Sequence, residues 1–169
     1  MSTPRTKIVL FGPPLAGKST ALVAYAHSRE LKTQTGRARS ITGGAEPHLL
    51  RTSKVQEGAQ VATYSGSIWS IHDWKPMLQA CDALVIVLDS QSDRMDTNIE
   101  HIRFLEQEHP KIRGCLLVSK IDLPTSIPTK EICRRLAIGG GPFSDWPRFE
   151  STIQDITTLL APFRFLSGE

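Results

Sequence analysis

The stretch Gly12-Pro-Pro-Leu-Ala-Gly17-Lys18-Ser19 follows a short apolar run, Lys7-Ile-Val-Leu-Phe11, and leads into a segment with helical spacing. It fits G-x-x-x-x-G-K-[S/T] at every fixed position, in the strand–loop–helix setting that gives the pattern its meaning. The chemistry accounts for the spacing. Glycine lets the backbone curl until successive N–H groups face one phosphate, and the start of the next helix adds partial positive charge. Lys18 would bridge β- and γ-phosphate oxygens, and the Ser19 hydroxyl would ligate Mg²⁺. Pro13 and Pro14 each remove an N–H donor, which stiffens the cradle and leaves it slightly poorer. The plainer alternative is a glycine turn followed by a lysine.

Outward from this loop, apolar runs of strand length recur at wide intervals: residues 7–11, 60–64, 83–88 and 114–118. The runs at 83–88 and 114–118 do not alternate, as expected of strands buried on both faces of a parallel sheet. Helical patterns fall between them. Residues 18–31 place Leu22, Tyr25 and Ala26 on one side. Residues 92–108 align Met95, Ile99, Ile102 and Leu105, with Ser92 as a cap and Pro110 as a stop. Thr129 is expected to cap a helix holding Ile132, Cys133 and Leu136, and Ser151 one holding Ile153, Ile156, Leu159 and Leu160. Residues 33–46 show no period and contain Gly36, Gly43 and Gly44, so a mobile loop is expected there. Strands separated by helices imply a three-layer α/β P-loop NTPase, a mostly parallel sheet flanked by helices. One such domain is expected over residues 1–169, with a short polar extension at 1–6.

Composition narrows the function classes. At 169 residues, 40% apolar and 22% charged, the chain is long enough to bury a core without staples. Cys81, Cys115 and Cys133 are odd in number and lack C-x-x-C spacing, so neither a disulfide framework nor a zinc site is expected. That usage suits a cytoplasmic location. The longest apolar run, 83–88, is far short of the roughly 20 residues of a membrane span. The polar start is not that of a signal peptide, and neither end carries a lipidation motif. Lys and Arg are scattered and the net charge is only +3, so neither nucleic acid nor a membrane is expected as a direct partner.

Two further motifs refine the reading. Ser119-Lys120-Ile121-Asp122 follows the buried run 114–118 and resembles the N-K-x-D guanine motif of small G proteins. A carboxylate at Asp122 accepts from both the ring N–H and the exocyclic amino group of guanine, a pair that adenine lacks. Lys120 would lie along the purine face. Ser119 keeps a hydroxyl where the family has asparagine but loses the amide that ties base site to phosphate loop. Between the two motifs, Thr63-Tyr64-Ser65-Gly66 stands where Ras-like proteins carry D-x-x-G. With Leu10–Thr20, Ser119–Pro124 and Val87-Leu-Asp-Ser-Gln-Ser-Asp-Arg-Met-Asp-Thr-Asn98, it resembles the bacterial MglA gliding-motility family over most of residues 7–165. Asp89 itself reads first as a capping carboxylate.

The resemblance implies a Ras-like fold, a GTP/GDP cycle with Mg²⁺ on Ser19, and a role in cell polarity. It also implies a Roadblock-type, MglB-like regulator or another G-domain protein as partner. Carried over residue by residue, Gly12, Pro14, Leu15, Ala16, Gly17, Lys18, Ser19 and Thr20 would hold the phosphates. Ser119, Lys120, Asp122 and Leu123 would hold the base, with Glu150-Ser151-Thr152 as the candidate final base motif. Lys18, Gly66 and Ser67 would form the catalytic set. Ser67 stands where the family places the water-orienting glutamine, and Glu46-Pro47 falls where it places an arginine and threonine. A slow or partner-dependent GTPase is therefore expected, beside a scaffold that holds guanine nucleotide without turnover. A nucleoside kinase would need a lid with paired arginines, for which Arg134-Arg135 is the sole adjacent candidate. Ile68, Trp69, Ile71, Trp74 and Met77 suggest a helix over 68–80, packed on the sheet or presented to a partner.

Overall fold

The structure, a computed structural model, describes residues 6–29, 33–37, 48–52, 60–63, 74–108 and 111–168. Strand β1 (Lys7–Phe11) leads through the glycine loop into helix α1 (Lys18–Ser28). Then come β2 (Thr33–Arg37), β3 (His48–Thr52), β4 (Gln60–Thr63), α2 (Trp74–Gln79) and β5 (Ala83–Asp89). The remainder is α3 (Met95–Glu108), β6 (Gly114–Ser119), α4 (Thr129–Arg135), β7 (Arg148–Ser151) and α5 (Ile156–Ser167). They form one sheet in the order β2-β3-β4-β1-β5-β6-β7. The strands from β4 to β7 run parallel, while β3 is antiparallel to both β2 and β4. This is the mostly parallel α/β P-loop architecture that the sequence implies.

Period-two alternation along β1 divides the core. Ile8 and Leu10 face α1 and α5, with Leu22, Tyr25, Leu159, Phe163 and Leu166. Val9 and Phe11 face the opposite layer of α2, α3 and α4, with Trp74, Leu78, Ile102, Leu105 and Ile132. Every residue of β5 and β6 is buried, which explains their continuous apolar runs. The C-terminal ends of β1, β5 and β6 therefore open on one edge of the sheet, the usual place for a ligand in this architecture.

Several local expectations are corrected. Thr33–Arg37 is a strand rather than a loop, because it pairs along β3 at the sheet edge, a non-local contact with no periodicity of its own. Residues 38–47 lie outside the described residues. Ser92 opens a 3₁₀ turn (Ser92–Arg94) before α3 and does not cap it. Pro128, not Thr129, precedes α4 as its cap residue. Ser151 ends β7, and α5 begins after Asp155, whose carboxylate accepts from the Thr157 N–H at 3.0 Å. Ile153 and Ile156 are consequently exposed, and Leu159, Leu160, Phe163 and Leu166 make the buried face. Cys81, Cys115 and Cys133 are free thiols.

Trp74 is also settled. Its ring is fully buried edge-on against Phe11, with centroids 4.6 Å apart, so it is a core residue and not a docking anchor. Of the expected helix over 68–80, α2 forms from Trp74 onward, and Ile68, Trp69 and Ile71 lie outside the described residues. Trp74→Ala is expected to destabilise the fold by about 3–5 kcal/mol through the cavity it leaves. The check is a urea midpoint shift at constant slope. A loss below about 1 kcal/mol would contradict the core assignment.

Candidate functional site

The glycine loop is shaped by a close approach. Gly12 has φ 148°, and a Cβ there would stand 2.1 Å from the Val87 carbonyl oxygen, inside any tolerable contact. Gly17, at φ 96°, caps α1 in a left-handed conformation that side chains rarely adopt. Leu15 between them is also left-handed, at φ 64°, and its side chain is 75% exposed. Ala16 is fully buried. These constraints turn two loop carbonyls inward. Lys18 Nζ donates to Gly12 O at 2.8 Å and Pro13 O at 2.6 Å, while the side chain is only 5% exposed. An ammonium has three donors, so one N–H remains for an anion at the mouth of the loop. No acidic residue stands in the first turn of α1, whose positive end faces the same mouth. Ser19 and Thr20 are exposed there.

At the end of β6, the Ser119 hydroxyl shares its hydrogen between Ala16 O at 2.6 Å and Leu88 O at 3.1 Å. The base motif is therefore tied to the phosphate loop by the serine hydroxyl, in place of the amide that this chain lacks. Lys120 follows in a left-handed conformation, φ 61°, with its carbonyl accepting from Ser90 Oγ at 2.8 Å. Its ammonium is 2.6 Å from Asp89 Oδ2. Asp122 is exposed and accepts from Gln154 Nε2 at 3.3 Å.

These residues meet in one cleft of about 240 Å³, lined by Gly17, Thr20, Ser119, Lys120, Asp122 and Leu123 with Ser151, Thr152, Ile153 and Leu159. Phosphate loop and base motif, about 100 residues apart in sequence, thus share a wall. Ser151 and Thr152 of the candidate final motif reach the cleft, and Glu150 is not among its lining residues. Ser151 lies opposite Ser119 in the β6–β7 register, and its buried Oγ has no hydrogen-bond partner among the described residues. Sequence reasoning missed Ile153, Leu159 and Gln154. The serine–threonine pair ahead of a helix start was the available signal.

No protein-family model matches the chain. Among curated proteins it is similar to the mutual gliding-motility protein MglA of Myxococcus xanthus (strain DK1622), at 28% identity over 148 residues. The match covers 77% of this chain and 74% of that protein. The chain is thus similar to MglA, and its sheet accords with the Ras-like fold that this likeness supports.

The site departs from the set of groups that a Ras-like protein carries. Thr63 stands where Ras-like proteins place the D-x-x-G aspartate. It is buried, and its hydroxyl donates to Leu10 O at 3.1 Å, so β4 offers no carboxylate to a cation. Among the described residues no three His, Cys, Asp or Glu side chains cluster as metal ligands. Ser19, exposed at the mouth of the loop, is the hydroxyl that could ligate a hard cation carried on nucleotide phosphates. Gly66 and Ser67 of the expected catalytic set lie outside the described residues, as do Glu46 and Pro47. Arg134 and Arg135 form no lid. Both are exposed on α4 and hydrogen-bond Glu131, whose carboxyl they hold down to about 2.

Burial pushes the Lys18 ammonium down from 10.5 to about 7. The sign follows from proton counting. Between pH 7 and 10.5 the unfolded chain holds a proton on Lys18 that the folded, ligand-free chain has released, so stability rises with pH across that window. Burial also pushes the Cys81 and Cys115 thiols up, to about 11 and about 12, which lowers stability once unfolded thiols ionise near pH 9. The effect should therefore be read from about pH 7 to 8.5. Ligand-free native chain is expected to gain stability over that interval in urea titrations, and Lys18→Met to show a flatter profile. Parallel profiles would contradict the buried ammonium.

Proposed function

We propose that this chain is a guanine-nucleotide-dependent molecular switch, a slow or partner-dependent GTPase acting in cell polarity or motility through partner proteins. The observation that carries the reading is the single cleft in which Lys120 and Asp122 stand beside the wall of the phosphate loop at Gly17. Asp122, exposed at its rim, presents a carboxylate to the two adjacent donors of guanine. Lys120 supplies a stem along the ring. The loop around Gly12, Pro14, Leu15, Ala16 and Gly17, with Lys18, Ser19 and Thr20, receives the phosphates. When bound on Ser19 and phosphate oxygens, Mg²⁺ supplies charge neutralisation at the transferring phosphoryl group.

Two features favour slow turnover. Ser67 is too short to orient an attacking water as a glutamine amide does. Thr63 replaces a carboxylate with a hydroxyl already donated to Leu10. Lys18 remains as a charge stabiliser, and Gly66 keeps its place in the catalytic set only by the family resemblance. Binding then outlasts hydrolysis, and a regulator could supply what is missing, since an arginine delivered from outside is worth roughly 10³–10⁵ in rate. The name of the gliding-motility relative supports a motility or polarity setting, with a Roadblock-type, MglB-like regulator or a second G-domain protein as the partner. A cytoplasmic location accords with this, and no helix among the described residues is long and apolar enough to cross a membrane. The second reading, a scaffold that holds guanine nucleotide permanently, is favoured by the same pair, Thr63 and Ser67.

Asp122→Asn is expected to weaken GTP and improve xanthosine triphosphate, because the amide donates where the carboxylate accepted. Calorimetry on both nucleotides checks this, and equal losses for both would contradict the base assignment. Single-turnover phosphate release by the isolated chain should be slow and should rise in Ser67→Gln. Rapid release by the native chain would contradict the proposal, and complete absence of release with or without the glutamine would favour the scaffold.

A further inference from the structure

The strongest polar network outside the motifs lies at the end of β5. Asp89 is 1% exposed. Its backbone is clamped to α3 by Asn98, which accepts from Asp89 N–H at 3.2 Å and donates to Asp89 O at 2.9 Å. Its Oδ1 accepts from Gln91 N–H at 3.1 Å, a local turn bond in place of the helix cap expected from sequence, because Gln91 itself stands at the helical boundary. Its Oδ2 pairs with the Lys120 ammonium at 2.6 Å. The next residue, Ser90, holds the Lys120 carbonyl. Lys120 is thus gripped at both ends by consecutive residues of one strand terminus, in a left-handed conformation that costs a side-chain residue strain.

That turn bond alone does not require this arrangement. The Gln91 N–H needs one acceptor oxygen, which a neutral amide supplies. A carboxylate at 1% exposure is costly unless paired, and its partner is the residue whose stem lines the base cleft. A free lysine chain loses several rotors when a base packs on it. One already held by a buried carboxylate loses fewer, so the nucleotide meets a preformed wall. We propose that Asp89 is a positioning residue of the base cleft, acting on nucleotide through the Lys120 ammonium and backed by Asn98 from α3. The proposal rests on the guanine reading of that cleft.

Asp89→Asn tests it, because the amide keeps an acceptor for Gln91 N–H and removes only the charge. Release of a fluorescent GDP analogue should accelerate and affinity fall by roughly 3- to 10-fold, the cost of ordering one rotamer-rich side chain. The urea midpoint of the ligand-free chain should change little, since the buried charge leaves and Lys120 turns to solvent. In a Lys120→Met background the same substitution should alter affinity less than about twofold. An effect that persists undiminished there, or unchanged affinity in Asp89→Asn alone, overturns the proposal. Lys120→Arg gives an independent reading on a chain with Asp89 intact. It should bind nucleotide more tightly than Lys120→Met, because a guanidinium still pairs with Asp89, and equal binding overturns the proposal. The native chain separates the two levels. No preference for the GDP analogue over its ADP counterpart overturns the guanine reading and this proposal with it, whereas a preference with no Asp89 effect overturns this proposal alone.

Discussion

Gly12 lies so close to Val87 that no side chain fits between them, and the site depends on that contact. It pins the start of the phosphate loop to the neighbouring strand β5 and turns the carbonyls of Gly12 and Pro13 inward. Those oxygens then hold the Lys18 ammonium beneath the surface. Burying a cation is costly, and the two carbonyls offset only part of that cost, since burial still pulls the Lys18 ammonium down to about 7. A phosphate at the mouth would restore the proton that burial tends to expel. The loop is therefore strained and electrostatically primed at the point where an anion is expected.

The base cleft is built on the same principle of tying distant segments together. Ser119 reaches from β6 to the Ala16 carbonyl, so the strand that carries the base motif is anchored directly to the phosphate loop. Asp89 and Ser90 reach from β5 to Lys120, and Gln154, just after β7, touches Asp122. Three adjacent strand ends thus place side chains on one small volume. The substitution of serine for asparagine in the base motif changes the tie without removing it. Thr63 does remove something: its hydroxyl is turned to Leu10 and cannot act as a carboxylate toward a cation.

The fold was legible where burial is symmetrical or chemistry is dense. The apolar runs of β5 and β6 and the glycine loop after β1 have local signatures that tertiary structure had no reason to override. Strands β2, β3 and β7 were not legible, because Thr33–Arg37 and Arg148–Ser151 are short, polar and defined by pairing rather than by their own pattern. Caps were misassigned for a related reason: Ser92, Thr129 and Ser151 are all plausible by residue type, and only the backbone decides which polar residue stands at the boundary. Trp74 illustrates the limit at the site. A tryptophan beside a switch segment reads equally as core or as surface, and its contact with Phe11 decides for core. The Asp89–Lys120 pair joins residues 31 apart, a separation from which sequence spacing alone predicts no contact.

The central claim is that one cleft reads guanine beside a phosphate loop that holds more tightly than it cleaves. The most direct measurement is to purify the native chain in Mg²⁺, denature it and identify by chromatography the nucleotide released. GDP or GTP in near-stoichiometric amount, or its uptake by an empty chain in preference to ADP and ATP, is the expected result. An adenine nucleotide, or an empty chain that takes up no guanine nucleotide, would contradict the account.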